Sequence, residues 1–212
     1  MNNLHYDYSV RWFTDWLDQK YEIEKKFINV HLPCGNNTLK HGKKLFTQMA
    51  IEAENRGAII RFVVTDGYVD TSPSEDRIAI KPLKEHLGFG VNSMLISENH
   101  EVVLQKMSLQ ELESRKDLMR DYDIFVTDFV PYGDEKNDVI FPFDEYVIQK
   151  LPKNGLIISF LVQKEQSGAI DSYWAKMQSD NLTLIHPPTL IKNQTNKTQM
   201  RYEVWEKAPI KG

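Results

Sequence analysis

Hydrophobic residues along this chain follow two patterns that take turns. Some segments space them three and four residues apart, which predicts amphipathic helices. Other segments are short unbroken apolar runs, which predict strands buried on both faces. The predicted helices cover residues 7–20, 38–56, 82–87, 108–120, 143–151 and 169–179. The predicted strands cover residues 27–32, 58–65, 101–107, 123–127, 156–162, 182–186 and 201–207.

Local signals mark where several of these elements begin and end. Gly57 follows a predicted helix at the position of a C-cap glycine, and Ser108 with Glu111 forms a capping box. Pro152 to Gly155 is a turn sequence between a helix and a strand. Because strands and helices alternate with short turns, we predict an α/β fold: a mostly parallel twisted sheet with helices on both faces.

Composition places the chain among globular proteins. Its 212 residues are 41% hydrophobic and 26% charged, which suits one domain spanning 1–212. The single cysteine, Cys34, excludes an internal disulfide, and the histidines lack metal-ligand spacing, so we expect no metal site. There is neither a signal-peptide pattern nor an apolar run of about 18 residues, so we expect a cytoplasmic protein without membrane contact. The net charge of −4 argues against a sequence-indifferent nucleic-acid binder.

In parallel sheets, ligands bind beyond the carboxyl ends of the strands, so the residues that follow each strand are the candidates for chemistry. The first strand runs into a turn of small residues, Pro33, Cys34, Gly35 and Asn36. Such a turn lets backbone N–H groups approach an anion or a cofactor. The alternative is an ordinary strand–helix turn, since a full glycine-rich fingerprint is absent.

Polar and aromatic residues follow the other strands. Asp66, followed by Gly67, stands where a carboxylate can accept the hydroxyls of a ribose; the alternative is a simple turn aspartate. Asp128 comes after the strand at 123–127, and Tyr132 behind it can stack on a flat base or pack in the loop. His31 lies inside an apolar strand, so we predict a hydrogen-bonded core histidine rather than a ligand.

Taken together, these segments resemble class I S-adenosylmethionine-dependent methyltransferases. LPCGNN at 32–37 resembles the glycine-rich first motif of that family, and Asp66 resembles the acid that holds the cofactor ribose. YDIFVTDF at 122–129 resembles the fourth motif, and LPKNGLIISF at 151–160 resembles a later loop and strand. The resemblance implies a Rossmann-like core over 27–212, preceded by an N-terminal helical segment over 1–26.

The resemblance also implies S-adenosyl-L-methionine as cofactor and assigns residues to its pocket. The implied cofactor-binding residues are Pro33, Cys34, Gly35, Asn36, Asp66, Gly67 and Asp128. The chain departs from the family at two positions, because His31 replaces the acid of the first strand and Asn37 replaces a glycine.

Two subfamilies that methylate the cap of mRNA compete. Residues 10–17, VRWFTDWL, followed by LPCGNNTLKHGK at 32–43, resemble the N-terminal helix and first motif of cap guanine-N7 methyltransferases. Tyr132 falls on the aromatic of that family's later segment, whereas Asp18 stands near its missing lysine. Guanine N7 needs no deprotonation, so alignment with the cofactor methyl suffices. We favour this assignment.

The rival resemblance is to viral and FtsJ-like cap 2′-O-methyltransferases, which use a Lys-Asp-Lys-Glu tetrad. Asp128, Lys164 and Glu203 stand in the right order as catalytic residues, with Lys25 or Lys26 as loose candidates for the first lysine. A ribose hydroxyl needs such a lysine as a base. The ending NQTNKTQMRYEVW at 193–205 also resembles nidovirus enzymes, which implies host cytoplasm and replication-complex proteins as partners.

The partner that both subfamilies imply is the capped 5′ end of RNA. Lys192 and Arg201 lie in a segment, 191–202, without acidic residues and are candidates for the triphosphate bridge. Tyr132, Tyr202 and Glu165 are the candidates for recognising guanine. A third interpretation, from the departures at His31 and Asn37, is a non-catalytic module that binds RNA or protein.

Overall fold

The computed structural model describes residues 4–20, 27–33, 42–67, 77–88, 95–108, 111, 122–128, 151–162, 182–192 and 199–208. The helices in these ranges are α1 (Leu4–Lys20), α2 (Lys43–Glu54) and α3 (Leu83–Leu87). The strands are β1 (Phe27–Pro33), β2 (Ile59–Thr65), β3 (Ile78–Pro82), β4 (Glu101–Gln105), β5 (Ile124–Asp128), β6 (Leu156–Val162), β7 (Leu182–Lys192) and β8 (Gln199–Lys207). No helix within these ranges has both the length and the apolar character that crossing a bilayer requires.

The eight strands form one sheet in the order β3-β4-β2-β1-β5-β6-β8-β7. Neighbours from β4 through β6 pair in parallel, whereas β3 pairs antiparallel with β4 and β8 pairs antiparallel with both β6 and β7. Without β3 and β8, the remaining strands follow the doubly wound order in which the chain winds outward from β1, then returns to its other side. The predicted mostly parallel α/β sheet is confirmed.

Helices α1 and α2 cover one face of the sheet because their apolar residues recur at helical spacing. In α1 these residues are Phe13, Trp16 and Leu17, all buried in the main core. Their partners are alternate strand residues, which point to the same face. The strand residues in this core include Ile28, Val30, Leu32, Ile60, Phe62, Val64, Val126, Ile158, Phe160 and Val204.

The opposite face of the sheet is buried as well. Val63 and Val103 pack with Met107 and Tyr122 in a second cluster, and Trp205 is buried farther along the sheet. Burial on both faces explains why the central strands are continuous apolar runs.

Several local signals in the sequence are confirmed. Gly57 has φ 71°, in the left-handed region that suits a residue ending a helix. Ser108 and Glu111 form the reciprocal capping box, with N···O distances of 2.8 and 3.1 Å. Gly155 is required by space, since a Cβ there would lie 3.0 Å from the carbonyl oxygen of Asp123 and nearer still to the Leu151 side chain.

Predictions for the edge strands were wrong or too short. Strand β3 was not predicted, because residues 78–82 form a short edge strand in which the apolar run is only three residues long and no position is fully buried. Strand β7 continues six residues beyond the predicted end at 186, through Pro187 and Pro188. Proline normally ends a strand, but an edge strand has one side free of ladder hydrogen bonds and tolerates it. Strand β4 ends at Gln105, two residues before the predicted end at 107.

Two helix predictions need correction. Helix α2 begins at Lys43 rather than at residue 38, because Gly42 is its non-helical N-cap. Leu151, predicted to end a helix over 143–151, lies in a bend before the turn at Pro152. The rest of that helix, residues 112–120 of the helix that starts at the capping box, and the helix over 169–179 lie outside the described residues.

Candidate functional site

The winding of the sheet reverses between β1 and β5. These strands pair at only two positions, Val30 with Ile124 and His31 with Phe125. Beyond His31, β1 continues to Pro33 along β2, while β5 continues to Asp128 along β6. The two strands therefore form a fork that opens toward their carboxyl ends. Ligands of doubly wound sheets bind in the crevice at such a reversal.

Three polar side chains from β1, β2 and β4 form a chain of hydrogen bonds beside the base of this fork. His31 Nε2 lies 3.0 Å from Thr65 Oγ1, and that hydroxyl donates to Gln105 Oε1 at 2.7 Å. All three side chains are buried. Since the Thr65 proton is used on Gln105, its oxygen accepts from His31, which assigns the ring proton to Nε2.

His31 is therefore a neutral imidazole with its acceptor nitrogen in place. Burial lowers the pKa of His31 to about 3, so it stays uncharged at neutral pH. Its ring stacks on Tyr122 at 4.3 Å and meets Phe125 edge-on at 4.8 Å. Among the described residues, none gives buried Nδ1 a hydrogen-bond partner. The predicted hydrogen-bonded core histidine is confirmed, and it holds an acceptor at the fork.

Asp66 and Gly67 follow β2, next to the fork. The Asp66 N–H donates to the Gln105 carbonyl at 3.0 Å, which ties this turn to β4. Asp66 is half-buried and Gly67 is exposed, with open space where a Cβ would stand. Asp66 thus follows the end of β2 on a backbone held by β4, and its role in binding a ribose stays a prediction.

The candidates on the other side of the fork occupy two neighbouring rows of the sheet. Asp128, the last residue of β5, pairs with Phe160, which pairs with Tyr202. Glu203 lies in the next row, paired with Ser159, and both are buried. Tyr202 is buried in the main core, so its own ring is not a surface on which a base can stack. Burial also raises its pKa, so its hydroxyl stays protonated.

Other candidates are only partly located. Lys192 pairs with Gln199, and Arg201 pairs with Leu161 and Leu190, so both lie at the same edge of the sheet as Tyr202. Pro33 is the last residue of β1. The predicted residues outside the described ranges are Cys34, Gly35, Asn36, Tyr132, Lys164 and Glu165. Within the described ranges no group of His, Cys, Asp or Glu side chains is arranged to hold a metal ion.

Sequence reasoning missed Thr65 and Gln105, which form a chain of hydrogen bonds with His31. Each is a single polar residue at the end of an apolar run, and that position was the available signal. This signal was too weak to select them, because their hydrogen bonds form only when β1, β2 and β4 are neighbours in the sheet.

Comparison with known proteins rests on structure alone, because neither a family model nor a curated protein matches the sequence. The chain superposes on the N-methyltransferase NodS from Bradyrhizobium japonicum with a TM-score of 0.55 and 9% identity, covering 98% of this chain and 99% of that one. A candidate class I S-adenosylmethionine-dependent methyltransferase from Listeria monocytogenes gives a TM-score of 0.53 and 15% identity, covering 100% of this chain and 62% of that one.

An rRNA methylase from Streptococcus thermophilus gives a TM-score of 0.50 and 13% identity, covering 94% of this chain and 97% of that one. This chain has the Rossmann-like fold of class I methyltransferases. This chain spans 62% of the length of the Listeria protein. At these identities the comparisons establish the fold, and the fork between β1 and β5 locates its crevice.

Proposed function

We propose that this chain is an S-adenosylmethionine-dependent methyltransferase that acts on the capped 5′ end of RNA, with guanine N7 as the methyl acceptor. The observation that carries the proposal is the fork between β1 and β5, with the Nδ1 acceptor of His31 at its base and Asp66 beside it. The fold supports the methyltransferase class, and the resemblance of residues 10–17 and 32–43 to cap N7 enzymes supports the substrate.

The residues at the fork fit the proposed cofactor. Asp66 can accept hydrogen bonds from the hydroxyls of a ribose, and its backbone is held in place by Gln105. His31 is neutral, so it adds no charge beside the proposed cofactor site. When bound, S-adenosylmethionine supplies an electrophilic methyl group. Exposed Gly67 leaves room for a ligand next to the carboxylate.

The protein's share of an N7 transfer is to bind and orient. The N7 lone pair of guanine is nucleophilic without losing a proton, so no general base is needed and the gain comes from alignment. A neutral His31 suits this role, since a charged imidazolium would repel the positively charged sulfur of the cofactor. The side chains at the fork accordingly fix the reactants and exchange no proton with them.

One assay tests both the class and the acceptor atom. Labelled methyl transfer is measured on GpppA-RNA and on its N7-methylated form, with nuclease digestion to locate the label. The expected result is a label on guanine with the unmethylated cap and none with the pre-methylated cap. No calorimetric binding of S-adenosylmethionine or S-adenosylhomocysteine would reject the methyltransferase proposal and favour a non-catalytic module.

A second candidate is transfer to the ribose 2′-oxygen, favoured by the burial of Glu203. A carboxylate is rarely buried unless it has a structural partner or a functional role. Lys164 would then serve as the base for the hydroxyl, as the resemblance to 2′-O enzymes implies. On this candidate, Lys164→Ala abolishes turnover and the pre-methylated cap is the better substrate. On the N7 proposal, Lys164→Ala keeps substantial activity.

A further inference from the structure

An aromatic cluster lies where α1 packs against β7 and β8. We define it by Tyr8, Trp12, Phe160, His186 and Tyr202. Ring centroids are 5.0 Å apart between Phe160 and Tyr202, 4.9 Å between Tyr8 and Tyr202, and 4.8 Å between His186 and Tyr202. Trp12 lies 5.8 Å from His186. Phe160 and Tyr202 are buried and form a floor, whereas the other three rings are half-buried and form an outer layer.

The cluster stands at the ligand-binding edge of the sheet. Tyr202 and Phe160 share a row with Asp128, the carboxyl end of β5. Trp16 Nε1 donates to the Asn154 carbonyl at 2.8 Å, at the other edge, so the amino-terminal half of α1 is the half nearer the fork. Two strand spacings separate β5 from β8, or roughly 10 Å. The floor of the cluster faces α1, whereas His31 packs on Tyr122 on the opposite face, so an RNA held in the fork would reach the outer rings by passing over the carboxyl ends of β5 and β6.

A bulge in β7 aims His186 at this cluster. The pairing of β7 with β8 shifts register on both sides of His186, next to Pro187 and Pro188. Thr189 Oγ1 lies 3.2 Å from His186 Nε2 and donates to the Pro187 carbonyl at 3.1 Å, which holds the distorted segment. Bulges re-aim side chains and recur beside active sites. His186 pairs with Val204, so its ring is diagonal to Tyr202 on the same face of the sheet.

The charge around the outer rings suits a nucleotide. The Arg11 side chain is 76% exposed, and its pairing with Asp15 is long, at 3.9 Å. Burial, together with the positive charge of Arg11, lowers the pKa of His186, so its ring is neutral at pH 7. Flat, uncharged rings stack on bases, and an exposed arginine pairs with a phosphate.

We propose that Tyr8, Trp12 and His186 form a stacking surface for a second base of the RNA substrate, next to the nucleotide held in the fork, with Arg11 facing its phosphate. The proposal rests on the proposed function and deepens it, because it identifies an RNA chain rather than a lone nucleotide as the substrate. The fork binds the reacting group, and the aromatic cluster holds the neighbour that aligns it.

The test pairs a ring substitution with the removal of a base. Fluorescence anisotropy measures the binding of a labelled GpppA-RNA and of two versions that are abasic at the first or the second transcribed nucleotide. Trp12→Leu should weaken binding of the intact RNA about tenfold, the loss expected for one stacked base. One of the abasic RNAs should bind the unaltered chain about as weakly, and Trp12→Leu should weaken that RNA no further.

Matched variants separate stacking from folding. Trp12→Phe keeps a flat ring and should retain most of the affinity. Phe27→Leu removes a half-buried ring from the opposite edge of the sheet and should leave RNA binding unchanged. Affinity for S-adenosylmethionine should be unaltered in all three variants. Arg11→Gln should weaken the intact and abasic RNAs alike, because it acts on the phosphate.

Two results would overturn the stacking surface: Trp12→Leu binding the intact RNA as tightly as the unaltered chain, or weakening the intact and both abasic RNAs by equal factors. Because anisotropy is measured without cofactor, these results count whether or not methyl transfer occurs. Absence of cofactor binding by the unaltered chain would overturn the proposed function instead, so the two failures are distinguishable.

Discussion

We call the amino ends of the parallel strands the amino edge of the sheet and their carboxyl ends the carboxyl edge. Buried histidines at these two edges differ in their hydrogen bonds. At the amino edge, His100 uses both ring nitrogens: Nδ1 accepts the Ile60 N–H at 3.1 Å and Nε2 faces the Glu54 carboxylate at 3.3 Å. At the carboxyl edge, His31 bonds Thr65 through Nε2, and no described residue serves its Nδ1. Buried polar groups are normally satisfied, so a buried acceptor without a partner among the described residues is an exception at the base of the fork.

The same contrast holds for the two aspartates. Asp123, at the amino edge, is buried, and its Oδ2 accepts the Asn29 N–H at 2.9 Å. Asp66, at the carboxyl edge, is half-buried and leads into exposed Gly67. Asp123 links β1 to the start of β5, whereas Asp66 is the residue that we propose binds the cofactor ribose. Substitutions at the two edges should therefore change different quantities.

The largest effect is expected from Asp66→Ala. Loss of a carboxylate that accepts two ribose hydroxyls should weaken S-adenosylmethionine binding about a hundredfold, because hydrogen bonds to charged groups are strong. The free energy of unfolding should change less than in Asp123→Ala, since Asp66 is half-buried and its backbone bond to Gln105 remains. Calorimetry measures the affinity for S-adenosylmethionine, and urea unfolding measures the free energy of unfolding. Unchanged cofactor affinity would contradict the role given to Asp66.

Asp123→Ala should have the converse effect. It leaves the partly buried Asn29 N–H without its carboxylate acceptor, which should lower the free energy of unfolding by about 2 kcal/mol. The cofactor affinity of the folded fraction should stay the same, because the residue lies at the other edge. Urea unfolding and calorimetry on one preparation check this. A cofactor defect as large as that of Asp66→Ala would remove the distinction between the edges.

Acid should destabilise the protein through His31. Its pKa is about 3 in the folded state and about 6.5 when unfolded, so below pH 6.5 the unfolded chain binds a proton that the folded chain does not. Stability is therefore lost as pH falls, by about 1.4 kcal/mol per unit, or about 2 kcal/mol between pH 6 and pH 4.5.

Urea unfolding across this pH range measures the slope. The pKa of His86 is also lowered, to about 4, so that residue adds to the loss in the unaltered chain. His31→Asn should lower the number of protons taken up on unfolding by about one, which reduces the slope of the free energy of unfolding against pH by about 1.4 kcal/mol per unit. The contribution of His86 should remain. An unchanged slope in His31→Asn would mean that the ring is charged in the folded protein.

The smallest effect is expected from Arg61→Ala at the amino edge. Arg61 Nε lies 2.7 Å from Glu101 Oε2, and its guanidinium lies 4.7 Å from the centre of the Phe27 ring. Both charged side chains retain contact with water, so the free energy of unfolding should fall by about 1 kcal/mol or less. This decrease should be smaller still at high salt. Urea unfolding at low and high ionic strength checks it, and cofactor affinity should not change.

The sequence predicted best where burial is uniform. Strand β6 has the predicted bounds, 156–162, because an apolar run buried on both faces has no ambiguous end. The capping box of Ser108 and Glu111 forms between residues three apart, so the sequence contains the whole interaction. It predicted worst at edge strands β3 and β7, where half the positions face solvent and prolines are tolerated.

The candidate site residues also differ in how far the sequence could identify them. Asp66 was selected as a candidate because the rule that selects it, a polar residue after a buried strand, depends only on local pattern. The aromatic cluster was not found, since Trp12 and His186 come from opposite ends of the chain and meet only through α1, β7 and β8. Tyr202 was predicted to contact substrate, and no pattern in its segment indicated that other rings would bury it.

The amino-acid sequence by itself determined the alternation of helices and strands, the apolar faces that pack, and the polar residues that end the strands. These properties follow from periodicity and from neighbours a few positions away. Only the tertiary structure decided that β1 and β5 diverge into a fork, that His31 is hydrogen-bonded to Thr65 and Thr65 to Gln105, and that the register of β7 shifts around His186. Such features depend on which distant strands pair, and strand order is set by the packing of the whole sheet.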